Sequence, residues 1–262
     1  MAGDKIGIIG GGNLGRSITL GLIKSGEINP GNILVSRRKV NLLEDMKNMG
    51  VGVTSDNCQL AGFADLIILS VKPHQSLAVM EEIKGKLRED QIIVSVVTGI
   101  KIDQIREIVG GKTAVFRAMP NTAIAIRESM TCVAGKGNSE DKLKRVFSVF
   151  NLLGKSIKVE EELMNAATVL AACGIAYALR FIRAASQGGI EIGFDSVTAQ
   201  LIAAQTVRGA AGLLSEGKEH PEKEIDKVTT PMGCTIAGLN EMEHQGFSSS
   251  LIKGIITSYN KI

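Results

Sequence analysis

The chain has no block of basic residues: its net charge is only +3, spread along 262 residues. It therefore carries no electrostatic footprint for nucleic acid or an acidic membrane, and any phosphate binding must be local. No pair among Cys58, Cys132, Cys173 and Cys234 has the close spacing of a zinc knuckle or redox motif. The four are expected to be reduced and mostly buried, and no metal is expected. The first residues lack the cationic, apolar and small-residue succession of a signal peptide, which points to a cytoplasmic address. The longest uncharged run, Leu163 to Leu179, falls short of the roughly 20 apolar residues of a membrane span and is expected to be a buried helix. There is no internal repeat and no low-complexity linker. What is present, 44% hydrophobic and 22% charged residues, is the composition of a soluble globular protein, so disordered and fibrous classes are excluded.

Up to about Val159, short β-branched runs alternate with helical patterns, as in a parallel sheet covered by helices. Strands are expected at Lys5–Gly10, Asn32–Ser36, Leu66–Val71, Ile92–Val96, Ala114–Met119, Met130–Ala134 and Ser156–Val159. After Glu160 strand-like runs stop, and Ala- and Leu-rich segments take helical spacing from Glu161 to about Gln187 and from Ser196 to Ser215. Gly188, Gly189 and Gly193 are expected to separate these helices, and His220-Pro221 to mark a break before a last helix pair from about Thr235 to Tyr259. The organisation expected is α/β: an N-terminal Rossmann-type parallel-sheet domain, residues 1–160, followed by an all-helical domain, residues 161–262.

Directly after the first strand stand Gly10, Gly12 and Gly15 in GxGxxG spacing, followed by an amphipathic helix from about Leu14 to Ser25. The first glycine permits a tight turn, the second close approach of a pyrophosphate, the third close helix–strand packing, with the phosphates at a helix N-terminus. A merely tight strand-to-helix turn is the alternative. The second strand ends in Val35-Ser36-Arg37-Arg38, where an NAD enzyme would offer an acid to the ribose hydroxyls. No acid is there; Ser36 and Arg37 supply a hydroxyl and a cation suited to the 2′-phosphate of NADPH. Two proline-bearing loops, Ser70-Val71-Lys72-Pro73 and Arg117-Ala118-Met119-Pro120-Asn121-Thr122, follow later strands and should face the cofactor, because ligands in open α/β sheets bind beyond the strands' carboxyl ends.

With these motifs in hand, GGGNLG, SVKP, RAMPNTA and HPEKEIDKVTTPMGCTIAGL (His220 to Leu239), the chain resembles the pyrroline-5-carboxylate reductase family over nearly its full length. The resemblance implies NADPH-dependent reduction of a cyclic imine, the last step of proline synthesis, by a homodimer paired through its helical domain. It places Gly12, Asn13 and Leu14 under the pyrophosphate, and Arg37 at the 2′-phosphate. Val71, Lys72, Pro73, Met119, Pro120 and Asn121 would flank the ribose and nicotinamide. Gly233, Cys234 and Thr235 would hold the substrate carboxylate with amides at a helix N-terminus, itself a ready anion site. The chain departs from the family pattern at Ala123, where proline is common, at Met232, where glycine usually follows Pro231, and in the run Leu170 to Tyr177, including Ala171 and Ile175. These departures leave the particular imine open.

An imine accepts hydride well once protonated, so the site has mainly to align the imine carbon with nicotinamide carbon 4. Thr235 is the candidate catalytic residue, able to hydrogen-bond the ring nitrogen; an ordinary helix N-cap is the plain alternative for a threonine there. Lys72 beside a nucleotide reads more readily as a phosphate or ribose contact than as a proton donor, and His220 as a capping or packing residue. A β-hydroxyacid dehydrogenase would need a lysine on the first long helix, and Leu170 to Gln187 holds Arg180 and Arg183 but no lysine. A non-catalytic NADPH-binding regulatory protein is the third reading, supported only by the departures.

Overall fold

The computed structural model describes residues 3–111, 113–217 and 219–262. It divides into two compact units, one reaching to Cys173 and the other formed by Gly174–Lys261. In the first, strands and helices alternate: β1 (Ile6–Ile9), α1 (Asn13–Ser25), β2 (Ile33–Ser36), α2 (Glu44–Asn48), β3 (Gly52–Thr54), α3 (Asn57–Phe63), β4 (Leu66–Leu69), α4 (Pro73–Ile83), β5 (Ile92–Ser95), α5 (Ile102–Val109), β6 (Ala114–Met119), β7 (Ser129–Ala134), α6 (Glu140–Asn151) and β8 (Gly154–Lys158).

The strands form one sheet in the order β3-β2-β1-β4-β5-β6-β7-β8. Strands β1 to β6 are parallel, whereas β7 runs antiparallel to β6 and β8 parallel to β7. Because successive side chains leave a strand on opposite faces, each central strand feeds two cores. Ile6, Ile8, Ile68 and Val94 meet Ile18 and Leu22 of α1 and Val146 and Phe150 of α6 on one face. Ile9, Ile67, Leu69 and Ile93 meet Leu60 of α3, Met80 of α4 and Ile105 of α5 on the other.

Past β8 the chain is helical: a short turn at Glu161–Leu163, α7 (Met164–Ala167), a π-helical turn at Thr168–Cys173, then α8 (Gly174–Glu191). The second unit continues with α9 (Ser196–Glu216), α10 (Pro221–Val228), α11 (Cys234–His244) and α12 (Phe247–Tyr259). Asp195 caps α9 by accepting from the Val197 and Thr198 amides, and the Thr198 side chain first, then these amides, hold its carboxyl below the usual carboxylate range. Helices α8 and α9 pack closely at Gly189, where an added Cβ would stand 3.0 Å from that of Ala199. On another side of α8, Tyr177 and Ser258 share a 2.6 Å hydrogen bond and Phe181 meets Phe247 edge-on, which fixes α12.

The structure departs from the sequence expectations in five places. Strand β3 has no counterpart among the expected strands, because three residues are too few to display alternation. The reversed pair β7 and β8 breaks the parallel run. Gly188 and Gly189 lie inside α8, and the break falls only at Gly193, whose φ of 114° a side chain rarely adopts. Of the cysteines only Cys132 is buried, its thiol pushed up by burial; Cys58 and Cys173 are half-buried and Cys234 is exposed. The run expected as a buried helix belongs to a helical stretch, Glu161–Glu191, whose most apolar 18-residue window is only 17% buried within the chain. By length and composition alone that stretch could cross a membrane. Its apolar side simply finds little partner in its own chain.

Candidate active site

The sheet order reverses at β1, whose neighbours β2 and β4 lead to opposite sides, so a crevice must open where the loops after these strands part. The loop after β1 is held tightly there. The Gly10 and Gly11 amides both donate to the Ser36 carbonyl, at 3.1 and 2.9 Å, tying it to the end of β2. Gly10 has φ 107°, and a Cβ on it would collide with the Ser70 carbonyl after β4. Gly12 is different: a Cβ there would meet nothing within 4 Å. The fold does not demand a glycine at that point, but a phosphate approaching the amides that open α1 does.

A cleft of about 290 Å³ lies at this point, lined by Gly10, Gly11 and Gly12, by Ser36 to Lys39, by Ser55 and Asn57, and by Ser70 to Lys72 with Gln75. Among the described residues that line it are four cations, Arg37, Arg38, Lys39 and Lys72, and no carboxylate. Arg37 donates from Nη1 to the Gly11 carbonyl at 2.9 Å, bracing the end of β2 against the glycine turn. Ser36 is 1% exposed and its hydroxyl donates to Asn57 Oδ1 at 2.6 Å, while Asn57 Nδ2 donates to Glu82 at 3.0 Å. Behind the glycine loop, Arg16 of α1 donates to the Leu42 carbonyl and pairs with Asp45, whose carboxyl it holds below the usual range. Lys72 is the N-cap of α4 and Pro73 its first residue, so the proline sits where a missing N–H costs nothing.

The cleft thus gathers Gly10, Gly12, Ser36, Arg37, Val71 and Lys72, while Asn13 and Leu14 form the first turn of α1 beside it. Sequence reasoning missed Lys39, Ser55, Asn57 and Gln75 as lining residues. Ser55 and Asn57 follow β3, so recognising that short strand would have pointed to its carboxyl end. Met119, Pro120 and Asn121 are buried at the end of β6 and do not line this cleft. The Asn121 side chain is committed internally: Oδ1 accepts from the Ala123 amide at 3.0 Å and Nδ2 donates to the Ala171 carbonyl at 3.2 Å.

In the second unit the segment Thr230-Pro231-Met232-Gly233 is a tight turn closed by the Gly233 amide on the Thr230 carbonyl at 2.9 Å. Its third residue, Met232, has φ 59°, the left-handed conformation such a turn requires after proline. Glycine or asparagine is at ease there; methionine is strained, and its side chain is fully exposed. The N-cap of α11 is Gly233 and no side chain caps the helix, so Thr235, the second helical residue, is not the cap considered for it. The amides of Cys234 and Thr235 belong to the helix's unpaired first turn. His220 is a cap, its Nδ1 accepting from the Glu222 amide at 3.3 Å.

A glycine turn feeding a helix at a sheet's switch point, with a cationic cleft beside it, defines a dinucleotide-binding protein. Residues 5–99 match the family model described as NADP oxidoreductase, coenzyme F420-dependent, and residues 161–262 match that described as pyrroline-5-carboxylate reductase dimerisation. Pyrroline-5-carboxylate reductase 1 of Dictyostelium discoideum is 45% identical over 98% of this chain, which spans 49% of that protein's length. Pyrroline-5-carboxylate reductase 2 of the same organism is 43% identical over 98% of this chain and 91% of its own. The crystal structure of Plasmodium falciparum pyrroline carboxylate reductase with NADP bound superposes with a TM-score of 0.89 at 25% identity, covering 100% of this chain and 97% of that one. The chain belongs to the pyrroline-5-carboxylate reductase family.

Proposed function

We propose that this protein reduces the C=N bond of 1-pyrroline-5-carboxylate to give L-proline, with NADPH as the reductant, and works as a cytoplasmic homodimer. The observation that carries the cofactor choice is the cleft wall of Arg37, Arg38, Lys39 and Lys72 with no carboxylate among them, which suits a 2′-phosphate and lacks the acid that would accept from two free ribose hydroxyls. In this reading Gly10, Gly12, Asn13 and Leu14 present backbone to the pyrophosphate. Arg37 meets the 2′-phosphate; Ser36, whose hydroxyl donates to Asn57 Oδ1, joins it only by turning that proton from Asn57 to the phosphate. Val71, Lys72 and Pro73 border the ribose, and Met119, Pro120 and Asn121 the nicotinamide.

The bound cofactor supplies a hydride to the imine carbon. The chain's own groups do the rest. The free amides of Cys234 and Thr235, which follow Gly233 at the positive end of α11, hold the substrate carboxylate, and the Thr235 hydroxyl, which caps nothing, accepts from the protonated ring nitrogen and favours that form. The domain division follows the chemistry, with residues 1–160 for the cofactor and 161–262 for substrate and dimer. The exposed apolar faces of α8 and α12, with Leu179, Ile252 and Ile256, support association with a second copy over insertion in a bilayer, since Arg180 and Arg183 lie on the same helix as Leu179. Steady-state NADPH oxidation with pyrroline-5-carboxylate, other cyclic imines and keto acids tests the reading. The expected result is turnover with pyrroline-5-carboxylate and none with keto acids. NADPH binding without turnover of any imine would make the protein a binding module.

A further inference from the structure

Arg117 is an unusual occupant of its place. It stands in β6 between Phe116 and Ala118, both fully buried, and is itself only 4% exposed. Its Nη1 donates to Glu161 Oε1 at 3.2 Å, and among the described residues Nε and Nη2 find no partner. Glu161 Oε1 also accepts the Ile102 amide at 2.8 Å, at the start of α5. Burying a guanidinium with one bond and two unmet donors costs desolvation free energy, and an apolar side chain of similar volume would serve a core better. Stability therefore does not explain this arginine.

Its geometry does. Arg117 precedes Met119-Pro120-Asn121 by two residues, and its partner Glu161 opens the turn that leads to α7 and the π-helical turn at Thr168–Cys173. At the far end of the same loop Asn121 Nδ2 donates to the Ala171 carbonyl, within that π-turn, a kind of helix irregularity that recurs at functional sites. Between these two bonds, Met119 packs with Ala134, Met164 and Ala172. We propose that Arg117, through Glu161, and Asn121, through Ala171, are positioning residues that tether the Met119–Asn121 loop to the segment 161–173 and so set where that loop stands against the nicotinamide. The inference rests on the reading that this loop flanks the nicotinamide. The Asn121 side chain then acts on the reaction through the loop's position, since both ends of its amide are already bonded within the protein, and only the residue's backbone is left to border the nicotinamide.

The test uses the full-length enzyme and four variants: Arg117→Met, the double variant Arg117→Met with Glu161→Gln, whose Oε1 still accepts the Ile102 amide, Arg117→Lys, and Asn121→Asp. Melting, NADPH Kd by fluorescence titration, and kcat with pyrroline-5-carboxylate are measured for each. Arg117→Met leaves Glu161 buried without its cation and is expected to melt early. The double variant removes both charges, melts close to wild type, and keeps its NADPH Kd within about threefold while kcat falls roughly tenfold to a hundredfold, the scale of a misplaced reacting group. Arg117→Lys keeps a cation for Glu161 and retains most of kcat. Asn121→Asp keeps the acceptor for the Ala123 amide, loses the donor to Ala171, and lowers kcat without weakening NADPH. A double variant with wild-type kcat makes the ion pair purely structural and overturns the proposal; so does an Asn121→Asp loss that appears wholly in NADPH Kd, which would make Asn121 a cofactor contact. Wild-type turnover separates the two layers: an enzyme inactive on every cyclic imine overturns the functional reading, while an active enzyme with an indifferent double variant overturns the tether alone.

Discussion

The two units treat their apolar side chains in opposite ways. In the first, β1, β4 and β5 are buried at every position and two cores fill both faces of the sheet. In the second, helices as long as α9, with 21 residues, bury only Ala199 and Ala203, and Leu201, Ile202, Leu251, Ile252 and Ile256 stand in the open. A sheet sandwiched by helices completes its own core; a set of helices matched to a dimerisation family does not. The same contrast appears in the loops. The glycine turn after β1 is relaxed, with Gly10 taking the left-handed conformation, whereas the turn before α11 forces Met232 into it. One unit completes its core alone, and the other carries both strain and unpaired surface, as the proposed substrate turn and dimer face require.

The largest effect expected is at the second unit's turn. Thr235→Ala should lower turnover by roughly ten- to a thousandfold, the scale of one lost positioned hydrogen bond, yet shift stability by less than about 0.5 kcal/mol, because Gly233 and not Thr235 caps α11. A variant that melts early and turns over normally would return Thr235 to a structural role. In the first unit, Arg37→Ala should weaken NADPH by about ten- to a hundredfold and leave NADH almost unchanged; equal losses in titrations of the two would remove Arg37 from the 2′-phosphate. Ile252→Asp, on an open face of α12, should weaken self-association by about 30-fold or more, read by sedimentation at micromolar concentration. An unchanged sedimentation profile would mean that the open apolar face is not the interface. The smallest effect is Met232→Gly, which relieves a left-handed residue and should raise stability by about 0.5–1 kcal/mol in denaturant titration.

The contrast also explains what could be read in advance. The cofactor half was legible because its signals are local: buried β-branched runs, glycines at fixed offsets, a strand ending in Ser36-Arg37 with no acid. β3 escaped because three residues carry no period, and with it went Ser55 and Asn57 on the cleft wall. In the helical half, helical spacing was legible but burial was not. Periodicity reports that a face is apolar, not whether the same chain covers it, so the run from Leu163 to Leu179 and the exposed Cys234 were misjudged together. Glycine disfavours helix, so Gly188 and Gly189 read in the sequence as a break, yet close packing of α9 at Gly189 overrides that preference. The departure at Met232 was visible in the sequence, and its φ supplies the physical reason why glycine suits that position.

The most direct test follows the hydrogen itself. Wild-type protein is incubated with pyrroline-5-carboxylate and NADPH carrying deuterium at both positions of nicotinamide carbon 4, and the product is examined by mass spectrometry. A C=N reductase predicts proline carrying one deuterium on the former imine carbon for each NADPH consumed. Proline without deuterium, or NADPH bound but never consumed, would contradict it.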